Sequence, residues 1–239
     1  RLYVIAYRRL YLYLHKNERS LSGEILMGDL RNTIRVIKER DPAATSSIQV
    51  ALLYSGFHAI LAYKISHWLY KHKLFFLARL TSQLARFFTG IEIHPGATIG
   101  RGLFIDHGSG VVIGETAVIG DNCTIYQNVT LGGTGKDKGK RHPTIGDNVM
   151  IGSGAKVLGP FTVGSNSKIA ANAVVLSEVP ENSTCVGVPA RVVKINNKKV
   201  AAELDQIHIP DPVSQELCKM HMLIDELNKK IEKLEDDRQ

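Results

Sequence analysis

The chain has 239 residues, 44% of them hydrophobic, and 30 Lys and Arg against 23 Asp and Glu give a formal net charge of +7. This is ample apolar material for one large domain or two small ones, and the most apolar region, Leu74 to Phe88, is cut by Arg79 and Arg86, which disfavours a transmembrane helix. The basic residues are spread along the chain rather than interleaved with aromatics in one patch, so neither nucleic acid nor a membrane is the expected partner.

The amino end, RLYVIAYRRLYLYLHKNERS, starts basic but has no clean apolar run or small-residue cleavage site, and it does not read as a signal peptide. Cys123, Cys185 and Cys218 are odd in number and widely spaced, which favours a reducing, cytoplasmic setting. Residues 1–90 read as a helical domain. Ile48, Leu52, Leu53, Phe57, Ile60, Leu61 and Ile65 keep a helical stripe, and a second runs from Leu74 to Phe88. Asp41-Pro42 reads as a helix start, with Asp as N-cap and Pro at the first helical position. Gly90 reads as the end of the helices.

From Ile93 to Val175 the pattern changes to an aliphatic residue at every sixth position. Ile93, Ile99 and Ile105 set the register; Ile113, Ile119, Ile125 and Leu131 resume it after two extra residues; Ile145, Ile151, Val157, Val163, Ile169 and Val175 resume it after eight more. A six-residue period fits neither a helix nor a flat strand, and it marks a parallel β-helix of about four coils. This domain is taken as residues 91–195. Glycines follow many of the aliphatics, among them Gly100, Gly114, Gly120, Gly132, Gly146, Gly152 and Gly164, and are expected at corners with unusual backbone angles.

Residues 196–239 form a linker and a further helix. Val213, Leu217, Met220, Ile224, Leu227, Ile231 and Leu234 alternate steps of four and three, the seam of a coiled coil or of a single amphipathic helix. The fold class is therefore α+β: a helical region, a β-helix and a carboxy-terminal coiled-coil helix.

Both interruptions of the beat carry reactive residues. The shorter reads Asp106-His107-Gly108-Ser109-Gly110, and the longer ends Lys140-Arg141-His142-Pro143. A loop inserted in a compact repeat is commonly functional.

With these breaks, the segments Asp41-Pro42-Ala43, Ser55-Gly56-Phe57-His58-Ala59, Ile93-His94-Pro95-Gly96-Ala97, Ile105-Asp106-His107, Gly114-Glu115-Thr116-Ala117, Arg141-His142-Pro143 and Gly187-Val188-Pro189-Ala190-Arg191 resemble the serine O-acetyltransferase family of the hexapeptide-repeat acyltransferases. The resemblance implies a left-handed β-helix and acetyl transfer from acetyl-CoA to the hydroxyl of L-serine, giving O-acetylserine for cysteine synthesis. It implies His107 as general base. It places Glu92, where the family has Asp, as the residue that orients His107. Asp41, Asp106, Arg141 and His142 match the serine-binding positions, a set whose carboxylates suit an ammonium and whose guanidinium suits a carboxylate. Gly133, Ser153, Ala155, Lys156 and Ala171 match positions that bind coenzyme A, with Lys168 and Arg191 as further candidates for its phosphates.

No metal is implied. A hexapeptide carbonic anhydrase is the metal-dependent rival, through His94, His107 and His142, but the pair of histidines five residues apart that such enzymes carry is missing from residues 93–188. A transferase for another hydroxyl acceptor is the nearer alternative. The family resemblance further implies feedback by L-cysteine at the serine pocket and a homotrimer or a dimer of trimers. Docking to cysteine synthase is not expected, since the chain ends Glu235-Asp236-Asp237-Arg238-Gln239 without the family's terminal Ile.

Overall fold

The computed structural model describes residues 23–135, 138–195, 220–224, 227 and 230. Two compact units divide between Leu53 and Tyr54. Most of the proposed heptad seam (Val213, Leu217, Ile231 and Leu234) lies outside the described residues, although Met220–Ile224 within it is helical.

The first unit contains α1 (Gly23–Arg40) and α2 (Ser47–Leu53). Asp41 does not open a helix. Its Oδ1 accepts the Ala43 N–H at 2.8 Å, a local turn that ends α1. The N-cap is Ser46, whose hydroxyl accepts the Gln49 N–H at 3.1 Å, while Gln49 reaches back to the Thr45 N–H at 2.9 Å. That is close to the reciprocal pattern of a capping box. The aliphatic stripe starting at Ile48 is also interrupted at Tyr54, and Ile48, Leu52 and Leu53 are exposed.

In the second unit, α3 (Ser55–Lys71) and α4 (Phe75–Thr89) precede the strands, and Gly90 ends α4 in the left-handed conformation expected of a C-cap glycine. These helices are bonded onto the first coil. The Tyr63 hydroxyl donates to Ala97 O at 2.7 Å, Ser82 Oγ to Ile93 O at 2.8 Å, and His67 Nδ1 meets Pro95 O at 2.8 Å. The boundary expected at residue 90 therefore falls inside a compact unit, because polar side chains of both helices satisfy carbonyls of the first repeat.

The strands stack as three parallel faces of a β-helix. The first face aligns Ile93, Ile113, Leu131, Val157 and Val175. The second aligns Ile99, Ile119, Ile145 and Val163. The third aligns Ile105, Ile125, Ile151, Ile169 and Cys185, and Arg191–Ile195 closes it antiparallel. The sixfold beat has become three internal ladders. Ile113, Ile125, Leu131, Ile151 and Ile169 are fully buried, each such side chain contributing about 1.5–3 kcal/mol.

The glycines and the corners separate in a way the repeat did not suggest. Positive φ at the corners falls mainly on asparagines: Asn122, Asn128, Asn148, Asn166, Asn172 and Asn182 all lie between 56° and 60°. Asn tolerates this region because its short polar side chain finds local partners. At one edge Asn148 Nδ2 donates to Asn166 Oδ1, and Asn166 Nδ2 to Asn182 Oδ1, both at 3.2 Å. The glycines after the aliphatics instead allow close stacking: a Cβ on Gly152 would lie 2.6 Å from Ala171 N, and one on Gly146 2.7 Å from Ser165 N.

Candidate active site

The two breaks sit on different edges of the prism. Asp106–Gly110 connects the third face to the first, between strands Phe104–Ile105 and Val112–Ile113. His107 occupies the left-handed region at φ 57°, and its side chain is 78% exposed. Its Nε2 is 3.9 Å from Asp106 Oδ1, beyond hydrogen-bonding distance. A positive φ on a non-glycine residue that projects its imidazole into solvent is the kind of local strain found at functional sites.

The same edge continues up the helix as a staircase. Asn128 N donates to Ser109 O, Gly154 N to Gln127 O, and Asn172 N to Ser153 O. Ser153 and Ala171 therefore lie on the His107 edge, in later coils. Lys156 rises beside them, with its ammonium bonded to Asn128 O and to Gly154 O. Ala155 lies deeper. It is fully buried, its N–H donates to Gly152 O and its carbonyl accepts from Thr130 N. Its side chain belongs to the core beneath the edge.

Glu92 is paired with α4. Its carboxylate binds Arg79 at 3.0 Å and Arg86 at 3.1 Å, both on α4. Among the described residues it makes no bond to His107. The two guanidiniums on α4 give this carboxylate ion pairs, that from Arg79 a charge-assisted hydrogen bond.

The longer break joins the first face to the second, between Thr130–Gly132 and Thr144–Ile145. Here Arg141 and His142 lie over the Glu115-Thr116 turn of the coil before, with His94 in the coil before that. Arg141 is ion-paired with Glu115, which also accepts the Tyr70 hydroxyl at 3.2 Å. That bond from Arg141 holds the Glu115 carboxyl below its usual range, and burial together with Glu115 pushes the Tyr70 phenol up. His142 is buried, and its Nδ1 accepts the Thr116 N–H at 3.1 Å. Burial first, and Arg141 second, lower its pKa, so the ring favours the neutral form. Gly133 starts this loop, and a Cβ there would lie 2.9 Å from Arg141 O. Lys140 ties the loop down by donating to Thr116 O at 2.7 Å.

One chain thus holds two partial sites. One edge carries Asp106 and His107 with Ser153 and Ala171; another carries Arg141 and His142. Asp41 lies in the first unit. Tyr70, Glu115, Thr116 and Lys140 were given no site role from the sequence, although Glu115 and Thr116 stand in a segment that carries the family resemblance and Lys140 in the longer break. Their one signal is stacking, since Glu115 and Thr116 sit a single coil below Arg141 and His142. Among the described residues no three His, Cys, Asp or Glu side chains gather as a metal set.

Residues 142–177 match the family model described as bacterial transferase hexapeptide (six repeats). The serine acetyltransferase of Bacillus subtilis (strain 168) is 59% identical over 203 residues, covering 85% of this chain and 94% of that protein. Among solved structures, the serine acetyltransferase of Brucella abortus strain S19 in complex with coenzyme A is similar at TM-score 0.72 and 44% identity, covering 76% of this chain and 72% of that one. A serine acetyltransferase in complex with cysteine is similar at TM-score 0.76 and 41% identity, covering 82% and 76%. With the ladders in register and identity of this order over nearly the whole of the relative, the chain belongs to the serine acetyltransferase family.

Proposed function

We propose that this chain transfers the acetyl group of acetyl-CoA to the hydroxyl of L-serine, with His107 as general base. The observation that carries the reading is His107 itself: an exposed imidazole at positive φ, placed by a break in an otherwise regular solenoid. The imidazole takes the proton of the serine hydroxyl as that oxygen attacks the thioester carbonyl. The C–S bond then breaks and the imidazolium protonates the departing thiolate. Such a relay contributes about 10² to 10⁴ in rate.

Serine is held by complementary charge. Arg141, braced by Glu115, faces its carboxylate together with His142, and Asp106 faces its ammonium, a role the family likeness also gives to Asp41. Coenzyme A runs along the His107 edge past Ser153 and Ala171, with Gly133 at its other side and Lys156, Lys168 and Arg191 towards its phosphates. The β-helix winds left-handed, and copies associate around a threefold axis so that the His107 edge of one meets the Arg141 edge of the next. The heptad tail supports that assembly as a coiled coil, a trimer or a dimer of trimers working in the cytoplasm. Free L-cysteine, chemically serine with sulfur for oxygen, competes for the serine pocket; the likeness to a family member in complex with cysteine supports this.

The test is acetyl transfer to a panel of hydroxyl acceptors by the parent and by His107→Ala. L-Serine is expected to be the preferred acceptor, with a loss of at least about a hundredfold in the variant. Activity within about tenfold of the parent, or preference for a sugar, overturns the assignment.

A further inference from the structure

Thr116 stands beside His142 in four hydrogen bonds that leave its hydroxyl no choice of direction. Its Oγ1 accepts the Arg141 N–H at 3.0 Å and the His142 N–H at 3.1 Å. A hydroxyl has two acceptor lone pairs and one proton. Both lone pairs are occupied, so the proton goes to the remaining neighbour, His142 Nδ1 at 2.8 Å. The Thr116 backbone N–H is aimed at the same nitrogen from 3.1 Å.

Two donors therefore converge on Nδ1. A proton on that nitrogen would face both of them with no acceptor in reach, which excludes the Nδ1–H tautomer and disfavours the imidazolium. The bonds made by one ring nitrogen decide the state of the other, so the hydrogen resides on Nε2. The surroundings agree. Arg141, Lys140 and His94 oppose a charge on the ring, and Glu115 alone favours one. Lys140 fixes the arrangement from outside, donating to Thr116 O at 2.7 Å and Pro143 O at 3.3 Å.

We infer that Thr116 is a positioning residue that presents His142 as a neutral Nε2–H donor, suited to a carboxylate oxygen of the amino-acid acceptor and not to proton exchange during transfer. The ligand half of this inference rests on the serine site proposed above; the tautomer does not. Division of labour follows between the two histidines. His107, exposed and without such bonds among the described residues, moves protons. His142, locked by Thr116, only donates.

The experiment uses the full-length assembled protein with ¹⁵N-labelled histidine, the His142 signals being identified by their loss in His142→Gln. Long-range ¹H–¹⁵N spectra at neutral pH are expected to show Nδ1 bare and Nε2 protonated in the parent and in Thr116→Ser. Thr116→Val is expected to mix the tautomers and raise the KM for serine about tenfold, while kcat moves less than about threefold and Thr116→Ser restores KM to within about twofold. A protonated Nδ1 in the parent overturns the inference, as does a Thr116→Val protein with an unchanged spectrum and KM. If Thr116→Val fails to fold, the parent and Thr116→Ser spectra still decide the tautomer. An unchanged serine KM in His142→Gln overturns the assigned ligand while leaving the tautomer result standing.

Discussion

Gly114 lies directly beneath the imidazole of His142: a Cβ on Gly114 would overlap ring atoms Cδ2 and Nε2. The two residues belong to successive coils, and only the missing side chain lets the ring settle against Thr116. Gly114→Ala is expected to expel the imidazole from its seat, since the clash is with the ring atoms of a buried residue. The strain is about 1–3 kcal/mol, and the effect on chemistry falls on the acceptor. The serine KM should rise at least about tenfold, with the KM for acetyl-CoA unchanged within about twofold. Steady-state kinetics with each substrate varied in turn check this. Equal changes in both constants would show a general collapse of the edge.

The same close approach explains a motif on the helical side. Gly56, in the first turn of α3, stands against Ile105, and a Cβ there would overlap Ile105 O. The carbonyl in question belongs to the residue before Asp106 and His107, so a push at this point is passed to the proposed general base. Gly56→Ala is expected to lower stability by about 1–3 kcal/mol, a fall in Tm of about 2–4 °C per kcal/mol for a chain of this size. Unlike Gly114→Ala it should reduce kcat rather than serine binding. Thermal unfolding and kcat, measured on the same preparation, test both statements.

The ladders were legible because each aliphatic of the beat does one job: Ile93, Ile113 and Leu131 face inward at equivalent points of successive coils. Their spacing in sequence is their spacing in space, apart from the two insertions. The glycines were misread for a physical reason. A glycine in a repeat signals either positive φ or close approach, and sequence alone does not separate the two. Here Asn122, Asn148 and Asn166 take the positive φ while Gly120 and Gly146 take the close approach. Asp41-Pro42 misled similarly, because Asp bonds a backbone N–H two residues on as readily after a helix as before one. The polar support of the Arg141 edge was hidden for another reason. Tyr70, Glu115 and Thr116 lie far from Arg141 in sequence, and only the eight-residue insertion, once placed on a particular edge, brings them together.

Acid should loosen this edge through the partly buried His94 and the buried His142. His94 Nδ1 accepts the Gly96 N–H at 3.0 Å and His142 Nδ1 the Thr116 N–H, and burial is the main cause that lowers both pKa values. Unfolded, both titrate near 6.5. Because the folded values are lower, the unfolded chain binds more protons as pH falls below about 6.5, so stability drops. Glu115 is depressed by Arg141, so its contribution is intact above its unfolded value and is lost only as pH falls through the lower, folded one. Between about pH 7.5 and 5.5 the histidines therefore dominate. The urea midpoint should fall across that window, and less steeply in His94→Gln. A midpoint constant over the window would contradict the neutral assignment of both rings.

Separation of His107 from Arg141 on two edges of one prism has a consequence for mixed assemblies. If a working site joins the His107 edge of one copy to the Arg141 edge of the next, His107→Ala and Arg141→Ala damage different halves of it. Each variant alone should be inactive, because every interface then lacks the base or the carboxylate clamp. Unfolded together in equal amounts and refolded, they assemble at random. At any interface the intact base meets the intact clamp in about one case in four, so the mixture should recover about a quarter of the parent activity. Each variant refolded alone serves as the control. Mass spectrometry of the intact assemblies confirms that the copies have mixed. Well-mixed assemblies that stay inactive would place both groups in a site built within a single chain.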